Sequence, residues 1–287
     1  MKISSNSLKS IYDFFKSELK DIYSENEVKL FFEIALENYL QLSFIQFSIN
    51  PALKVSESEL LKFNFCVKDL KKNKPLQYII GKTIFYGFSF QVNEHVLIPR
   101  PETEELVELI LKDYPNKKAC FIDIGTGSGC IPIALCLKNQ KLKAYAVDIS
   151  DKALKIARQN SVNNNVEISL QKFDILKDEF STFNSEIEFD FIVSNPPYIK
   201  PSEKSNMSAN VLNFEPHLAL FSDEEDYLIF YRNIISKFSK FLKPNGLFYF
   251  EINQQSATDI INLMKSFALI DIEILKDISG NIRFAKA

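Results

Sequence analysis

Histidine and cysteine, the usual ligands of structural zinc, are scarce in this sequence of 287 residues. It contains two histidines and four cysteines, and no two cysteines form a C-x-x-C pair. Because structural zinc sites need closely spaced Cys or His ligands, we expect no metal site. We interpret the four thiols as buried and reduced: Cys66, Cys120, Cys130 and Cys136.

Long apolar runs and export signals are absent as well. No apolar stretch approaches the roughly 20 residues of a membrane-spanning helix. The first residues, MKISSNSLKSIYDFF, lack the apolar core and the small-residue cleavage pattern of a signal peptide. We therefore expect a soluble cytoplasmic protein with no membrane partner, and we take it to be a monomer.

An excess of positive charge is missing too. The formal net charge is -3 at pH 7, whereas proteins that bind a phosphate backbone usually carry a marked basic excess. Nucleic acid is therefore a weaker candidate partner than protein, and we expect no binding to DNA.

Hydrophobic periodicity separates an N-terminal helical part from the rest of the chain. Apolar residues recur at helical spacing through residues 4–74, which predicts a small bundle of helices. Between Gln77 and Ile98 apolar and polar residues intersperse around Gly81 and Gly87, which predicts a strand hairpin. We therefore divide the chain into a helical domain (1–74), a linking β-hairpin (75–98) and a third domain (99–287).

Helices and strands alternate beyond Arg100. The pattern predicts helices over residues 101–113, 129–138, 151–162, 224–242 and 254–267. It predicts strands over residues 119–124, 142–148, 166–172, 189–194, 246–252, 270–277 and 281–286, and the turn before the last strand is tight enough to make the final pair antiparallel. Such alternation predicts a Rossmann-like α/β fold with a seven-stranded, mostly parallel sheet between layers of helices.

Three of the seven glycines fall within one short stretch between a predicted strand and a predicted helix. The stretch reads Gly125, Thr126, Gly127, Ser128 and Gly129. It places bare backbone and N–H groups at the carboxyl end of the sheet, where ligands bind in such folds. Cys130 stands where the dinucleotide fingerprint has its third glycine, so the pattern disfavours NAD. Taken alone, the loop also fits a tight turn without a ligand.

Acidic residues at strand ends favour an adenosyl cofactor. Asp148 ends the next predicted strand, where a carboxylate can accept both ribose hydroxyl protons. Asp123, just before the glycine loop, could face the ammonium of a methionyl group. After the third strand, Phe173, Asp174 and Ile175 are placed to flank and hydrogen-bond an adenine. Together these residues predict S-adenosyl-L-methionine as the cofactor.

The fourth predicted strand runs directly into Asn195, Pro196, Pro197 and Tyr198. A substrate nitrogen with two N–H groups in one plane needs two acceptors, which the Asn195 side-chain carbonyl and the Pro196 backbone carbonyl could supply. The prolines fix the chain, and Tyr198 offers a flat face for stacking. The motif therefore predicts methyl transfer to a planar amide or amine, although an ordinary proline turn would have the same sequence.

At these residues the chain closely resembles the PrmC/HemK family, which methylates the glutamine of the Gly-Gly-Gln motif in class-1 peptide chain release factors. The stretches Pro75–Ile79, Val96–Leu106, Asn195–Ile199 and Glu215–Leu220 carry the resemblance with the glycine loop. It implies a class I methyltransferase fold and N-terminal helices that help to grip the release factor. It also implies that Gly125 to Gly129, Asp148 and Asn195 bind the cofactor, and that Asn195 to Tyr198 bind the glutamine.

The chain departs from the family pattern in places. Phe221, Ser222 and Asp223 stand where the family usually has glycines, Asn253 replaces another glycine, and residues 178–188 resemble an insertion.

Two other functions remain open. The Asn-Pro-Pro-Tyr motif also occurs in adenine-specific DNA methyltransferases, so an adenine-N6 nucleic acid methyltransferase is the alternative, and a non-catalytic adaptor is the third. The negative net charge disfavours the nucleic acid methyltransferase. The intact Asn195 and glycine loop disfavour the non-catalytic adaptor. Residues of these types are more often structural than catalytic, so we assign no role to Glu215, His217 and Glu251. The stretch Pro99–Glu102 belongs to the resemblance and equally fits a plain helix start.

Overall fold

The computed structural model describes residues 3–178 and 187–287. The predicted insertion at residues 178–188 therefore lies, apart from its ends, outside the described residues. The chain forms two compact units, and the segment 75–98 is divided between them. The smaller unit comprises Met1–Gly81 with Ser208–Phe214, and the larger comprises Lys82–Met207 with Glu215–Ala287.

Helices and strands make up most of the described chain. The helices are α1 (Leu8–Leu19), α2 (Glu25–Leu40), α3 (Phe44–Ile49), α4 (Glu57–Leu70), α5 (Leu76–Ile80), α6 (Pro101–Asp113), α7 (Cys130–Lys138), α8 (Asp151–Asn163), α9 (Ala209–Phe214), α10 (His217–Leu220), α11 (Ile229–Phe238) and α12 (Ala257–Ser266). The strands are β1 (Lys82–Phe85), β2 (Phe88–Gln91), β3 (Ala119–Ile124), β4 (Leu142–Asp148), β5 (Ile168–Lys172), β6 (Phe189–Ser194), β7 (Leu242–Glu251), β8 (Glu273–Lys276) and β9 (Ile282–Lys286). None of the described helices is long and apolar enough to cross a bilayer.

Serine side chains begin the first four helices of the smaller unit. Each accepts a hydrogen bond from the backbone N–H three residues on, which satisfies a donor at the helix start. The four capping residues are Ser7, Ser24, Ser43 and Ser56. At α2, α3 and α4 the serine N–H in turn donates to the side-chain oxygen of a Glu or Gln, which completes a capping box. The predicted N-terminal helical region is confirmed.

The predicted hairpin is shorter than its sequence pattern. Strands β1 and β2 pair antiparallel around Tyr86 and Gly87, which have φ of 51° and 81°. Two consecutive positive φ values match the twist of paired strands. Residues 77–80 belong to helix α5 and not to a strand, so the prediction there is wrong. The apolar positions Leu76 and Tyr78 are buried by a helical turn that ends at Gly81, whose φ is 82°.

The larger sheet confirms the predicted Rossmann-like architecture. Among the described residues it has seven strands in the order β5-β4-β3-β6-β7-β9-β8. The first five pair in parallel, and β9 runs antiparallel to both of its neighbours. Strand β3 lies between β4 and β6, so the strand order reverses there, and in open α/β sheets ligands bind at such a point. The Ser194 hydroxyl donates to the Ile124 carbonyl over 2.6 Å and joins the carboxyl ends of β3 and β6.

The element bounds differ most from the prediction between residues 224 and 256. Helix α11 covers only Ile229–Phe238, and strand β7 begins at Leu242 although the pattern predicts 246. The sequence Lys243–Gly246 resembles a turn, and Asn245 does adopt a φ of 64°. The pairing of β6 with β7 shifts register between Phe189 and Phe191, and this irregularity lets the strand continue through the segment.

Candidate functional site

A cavity of about 440 Å³ opens at the carboxyl edge of the large sheet. Much of its lining comes from residues at the ends of four parallel strands: Ile124, Gly125 and Gly127 after β3, Asp148 to Ser150 after β4, Phe173 to Lys177 after β5, and Ser194 to Pro197 after β6. A second set lies outside the strands: Glu94 to Leu97, Pro216, Leu218 and Ala219. None of the residues in this second set was predicted to belong to the site.

The structure brings most of the predicted site residues to this one cavity. Those that line it are Gly125, Gly127, Asp148, Asp174, Asn195, Pro196 and Pro197. Those that do not line it are Thr126, Ser128, Gly129 and Tyr198. The glycine loop and the Asn-Pro-Pro-Tyr loop thus meet at one place, because they follow adjacent strands of the sheet.

The glycine loop presents bare backbone to the cavity. Gly127 has a φ of 54°, and a Cβ added to it would meet no atom within 4 Å. The φ value favours glycine, and the open space leaves room for a ligand against the main chain. Gly129 is different, because its added Cβ would lie 3.2 Å from the Cβ of Ala157. It therefore allows the start of α7 to pack closely against α8.

Asp148 supports the glycine loop and also faces the cavity. Its Oδ2 accepts a hydrogen bond from the Gly127 N–H at 2.8 Å, and its Oδ1 accepts one from the Ser150 N–H at 2.9 Å. Burial raises the pKa of this carboxyl, while the backbone N–H groups oppose the rise. Each carboxylate oxygen has two lone pairs, so each can still accept a hydroxyl proton from a ligand.

Asp123 is a fully buried carboxylate near the end of β3, two residues before the glycine loop. Within the described part of the chain, neither of its oxygens has a hydrogen-bond partner, and the same holds for the Thr126 hydroxyl. Burial raises the pKa of Asp123 to about 7, and the charge of Asp148 adds to this rise. The nearby Thr126 hydroxyl lowers the pKa but does not reach hydrogen-bond geometry. Asp123 does not line the cavity.

The segment after β5 adds apolar side chains and one carboxylate to the cavity. Phe173 and Ile175 are apolar lining residues on either side of Asp174. The Asp174 Oδ1 accepts the Leu176 N–H at 2.9 Å, which holds the carboxyl within its own turn. This combination of apolar surface and a fixed acceptor suits the edge of a purine ring.

The Asn-Pro-Pro-Tyr loop is held in place by the segment whose sequence departs from the family. The Ile199 N–H donates to the Leu220 carbonyl at 3.1 Å, and the Ser222 N–H donates to the Ile199 carbonyl at 2.9 Å. These bonds use backbone groups, so Phe221 and Ser222 can replace glycines without loss of the contact. The departure therefore leaves the support of the loop intact.

A buried polar chain that reaches Asn195 was not predicted from the sequence. The Asn195 Nδ2 donates to Thr103 Oγ1 at 3.3 Å, and the Thr103 hydroxyl donates to Glu251 Oε2 at 2.7 Å. The Tyr198 hydroxyl donates to the other Glu251 oxygen at 3.4 Å. The signal that could have found Glu251 is its position: like Asp148, it is an acidic residue at the carboxyl end of a parallel strand.

Glu215 also has a clear structural position. Its side chain is 1% exposed, and its Oε1 lies 2.5 Å from the Nη2 of Arg100 in an ion pair. Its Oε2 accepts the Ile98 N–H at 3.3 Å. These contacts join the segment before α6 to the segment before α10, and residues of both segments line the cavity.

Known protein families match both the N-terminal part of the chain and the part that contains the cavity. The family model of the PrmC N-terminal domain matches residues 11–81, and that of the Methyltransferase small domain matches residues 102–220. The chain is 43% identical over 276 residues to the Release factor glutamine methyltransferase of Flavobacterium psychrophilum, a match that covers 95% of each chain. It is 41% identical to the protein of the same name from Streptococcus pneumoniae, with 96% of each chain covered.

Solved structures share the fold at much lower identity. A methyltransferase from Pyrococcus furiosus aligns with a TM-score of 0.51 at 16% identity, covering 80% of this chain and 97% of that one. The hMettl16 catalytic domain in complex with MAT2A 3'UTR hairpin 1 aligns with a TM-score of 0.56 at 16% identity, covering 96% and 89%. At this identity the likeness shows a common methyltransferase fold.

Proposed function

This chain belongs to the release factor glutamine methyltransferase family, the PrmC/HemK family, and from this premise we propose that it methylates the glutamine of the Gly-Gly-Gln motif in class-1 peptide chain release factors. The methyl group would go from S-adenosyl-L-methionine to the side-chain amide nitrogen. The observation that carries the proposal is that the glycine loop after β3 and the Asn-Pro-Pro-Tyr loop after β6 open into the same cavity. An adenine-N6 methyltransferase is the less favoured alternative.

The residues of the cavity fit S-adenosyl-L-methionine, which when bound supplies an electrophilic methyl group on a sulfonium. Gly125 and Gly127 would hold the methionyl part against bare backbone, and Asp148 would accept the ribose hydroxyls. Asp174 and the apolar residues around it would hold the adenine. Asp123 does not reach the cavity, but its buried carboxylate just before the loop creates a negative potential that favours a cationic ligand.

The Asn-Pro-Pro-Tyr loop would hold the substrate amide and orient its nitrogen. We propose that the Asn195 side-chain carbonyl and the Pro196 backbone carbonyl accept the two N–H groups of the glutamine amide in one plane. An amide nitrogen is a poor nucleophile, and acceptors on both of its protons increase its electron density. Pro197 fixes the loop. The Tyr198 ring does not line the cavity, so its stacking on the amide stays a prediction. Positioning of this kind can supply a large part of the rate of a group transfer.

Asp148→Ala is expected to weaken S-adenosyl-L-methionine binding by about 1.5 to 3 kcal/mol, because a charged acceptor of hydrogen bonds is lost. Calorimetry on the purified variant measures the effect. Asp151→Ala is the matched control: Asp151 is an exposed carboxylate that forms an ion pair with Lys172 at the surface. Equal cofactor affinity in the wild type and in Asp148→Ala would remove Asp148 from the cofactor site.

The experiment that tests the function compares three substrates with labelled S-adenosyl-L-methionine. They are an intact class-1 release factor, a short peptide that contains Gly-Gly-Gln, and DNA that contains adenine. We expect one methyl group on the glutamine of the release factor, located by mass spectrometry, and much slower labelling of the peptide.

The reason for the expected difference is the size of the pocket. A site built from Asn195 to Tyr198 contacts little more than one side-chain amide, so discrimination between glutamines must come from other surfaces. We propose that the N-terminal helices supply this recognition, and remote binding energy can be used to orient the reacting atom. Preferential labelling of DNA would overturn the proposed function. Equal labelling of peptide and intact factor would remove the recognition role of the helices.

A further inference from the structure

Glu251 is a buried carboxylate that ends strand β7 beside the substrate loop. The residue is 2% exposed, and each of its oxygens accepts a side-chain hydrogen bond. Thr103, 3% exposed at the start of α6, donates to Oε2 at 2.7 Å, and Tyr198 donates to Oε1 at 3.4 Å. Because a buried carboxylate is costly without such bonds, Glu251 fixes the direction in which both hydroxyl groups point.

The direction of the Thr103 hydroxyl determines what it can offer to Asn195. A hydroxyl has one proton, and Thr103 gives it to Glu251, so its oxygen is left as an acceptor. The partner across the 3.3 Å contact must therefore be the donor end of the Asn195 amide, Nδ2. Since the amide group is planar with its nitrogen and oxygen on opposite sides, Oδ1 is turned away from Thr103.

We propose that Thr103 and Glu251 are positioning residues, which hold the Asn195 amide so that Oδ1, and not Nδ2, meets the N–H group of the substrate. The inference rests on the proposed function, because it takes the acceptor of the methyl group to be an N–H group. With the amide reversed, Nδ2 would oppose the substrate N–H as a second donor and the pair would repel.

Groups on several other elements shift the pKa of Glu251 or bind its backbone. Burial raises its pKa most, and the negative Glu102 on α6 adds to the rise. The hydrogen bonds from Thr103 and Tyr198 and the positive Arg283 on β9 oppose it. From α11, the Tyr231 hydroxyl donates to the Glu251 backbone carbonyl at 2.9 Å. A protonated Glu251 could donate to Thr103, whose hydroxyl would then point at Asn195 and favour the reversed amide.

The test measures kcat and KM for release factor methylation in Thr103→Val, Thr103→Ser and Glu251→Gln. Valine keeps the shape of threonine without its hydroxyl, so kcat should fall by about tenfold or more, which is about 1.4 kcal/mol of barrier. KM and the calorimetric affinity for S-adenosyl-L-methionine should stay within about twofold. Thr103→Ser keeps the hydroxyl and should recover most of kcat.

The variant Glu251→Gln tests the same positioning role independently of Thr103→Val. Its kcat should fall as in Thr103→Val, and the ratio of wild-type to variant kcat should decrease towards acid pH, where the wild-type carboxyl takes up a proton. The control is Tyr249→Phe, which removes a buried hydroxyl that donates to Asp113 at 2.7 Å. This control should leave kcat and its pH profile unchanged.

The orientation of the Asn195 side chain can also be tested by NMR in the free protein, without any measurement of methyl transfer. With ¹⁵N-asparagine labelling, the Asn195 side-chain signals can be assigned by their absence in Asn195→Ala, and their hydrogen exchange should become faster in Thr103→Val. Unchanged exchange, or a kcat within about threefold of wild type in both Thr103→Val and Glu251→Gln, would overturn the proposal. If the wild type failed to methylate release factors, the proposed function would fall instead, and the exchange result would still decide whether Thr103 holds Asn195.

Discussion

Asn195→Ala is expected to lower the kcat of methyl transfer by about 100-fold or more, with a much smaller loss of cofactor affinity. Removal of one preorganised group that contacts the reacting centre typically costs this much, roughly 3 kcal/mol. The physical reason is geometric: without Oδ1 the substrate nitrogen has one fixed acceptor instead of two, and its lone pair is no longer aimed. Single-turnover labelling of a release factor measures the rate, and calorimetry measures the affinity for S-adenosyl-L-methionine.

A matched control separates this effect from the loss of any half-buried amide. The Asn233 side chain on α11 donates to the Ile229 carbonyl at 2.8 Å and does not line the cavity. Asn233→Ala should therefore keep the wild-type kcat. If Asn195→Ala retained more than about a tenth of wild-type turnover, a barrier change of only about 1.4 kcal/mol, Asn195 would not be the principal orienting group.

Asp123→Asn is expected to stabilise the free protein at alkaline pH and to weaken its binding of the cationic cofactor. The direction of the stability change follows from the difference in proton binding between the folded and the unfolded chain. Burial raises the pKa of Asp123 from its ordinary 3.8 to about 7 in the folded protein. Between these values the folded chain keeps a proton that the unfolded chain has lost, so the free energy of unfolding falls as pH rises. The loss is complete above about pH 7 and is on the order of 4 kcal/mol.

The asparagine variant cannot ionise and so escapes this loss. Urea unfolding near about pH 4.5 and about pH 8 measures the difference between variant and wild type at each pH. The difference should favour the variant more at the higher pH, and the constant cost of an unpaired buried amide cancels in the comparison. Asp151→Asn is the control, because it removes a carboxyl that is exposed to solvent. A difference that stays flat would mean that Asp123 is not an unpaired carboxylate.

Much of the fold could be predicted because strands β3, β4 and β6 are short, largely apolar runs with a clear end: Gly125 follows β3, Asp148 ends β4, and Asn195 and Pro196 follow β6. The structure gives these three strands the predicted bounds. Helix α5 could not be predicted, because a run of five residues with two buried positions fits a strand as well as a helical turn. The start of β7 was equally ambiguous, since Pro244 and Gly246 resemble a turn and only the irregular pairing with β6 keeps them in a strand.

Some residues of the candidate site could likewise be predicted from the sequence, and others could not. Gly125 to Gly129, Asp148 and Asn195 are readable from the sequence because each lies next to a strand end, where the ligand edge of a parallel sheet must be. The positions of Thr103 and Glu251 beside Asn195 are not readable, because these contacts join residues 92 and 148 positions apart in the chain. Such contacts depend on strand order and register, which local patterns do not specify.

The serine caps of the smaller unit and the strand pairings of the larger unit need different lengths of chain to have been synthesised before they can form. The start of each of the first four helices is specified within three residues, so it can form as soon as that stretch has been made. The central pairing of β3 with β6 must instead close a long loop, since the bond from Ser194 to Ile124 spans 70 positions, and such closure is slow. The chain of contacts around Asn195 waits longer still, until Glu251 has left the ribosome. A nascent chain can therefore complete its first four helix starts while it still has no active site.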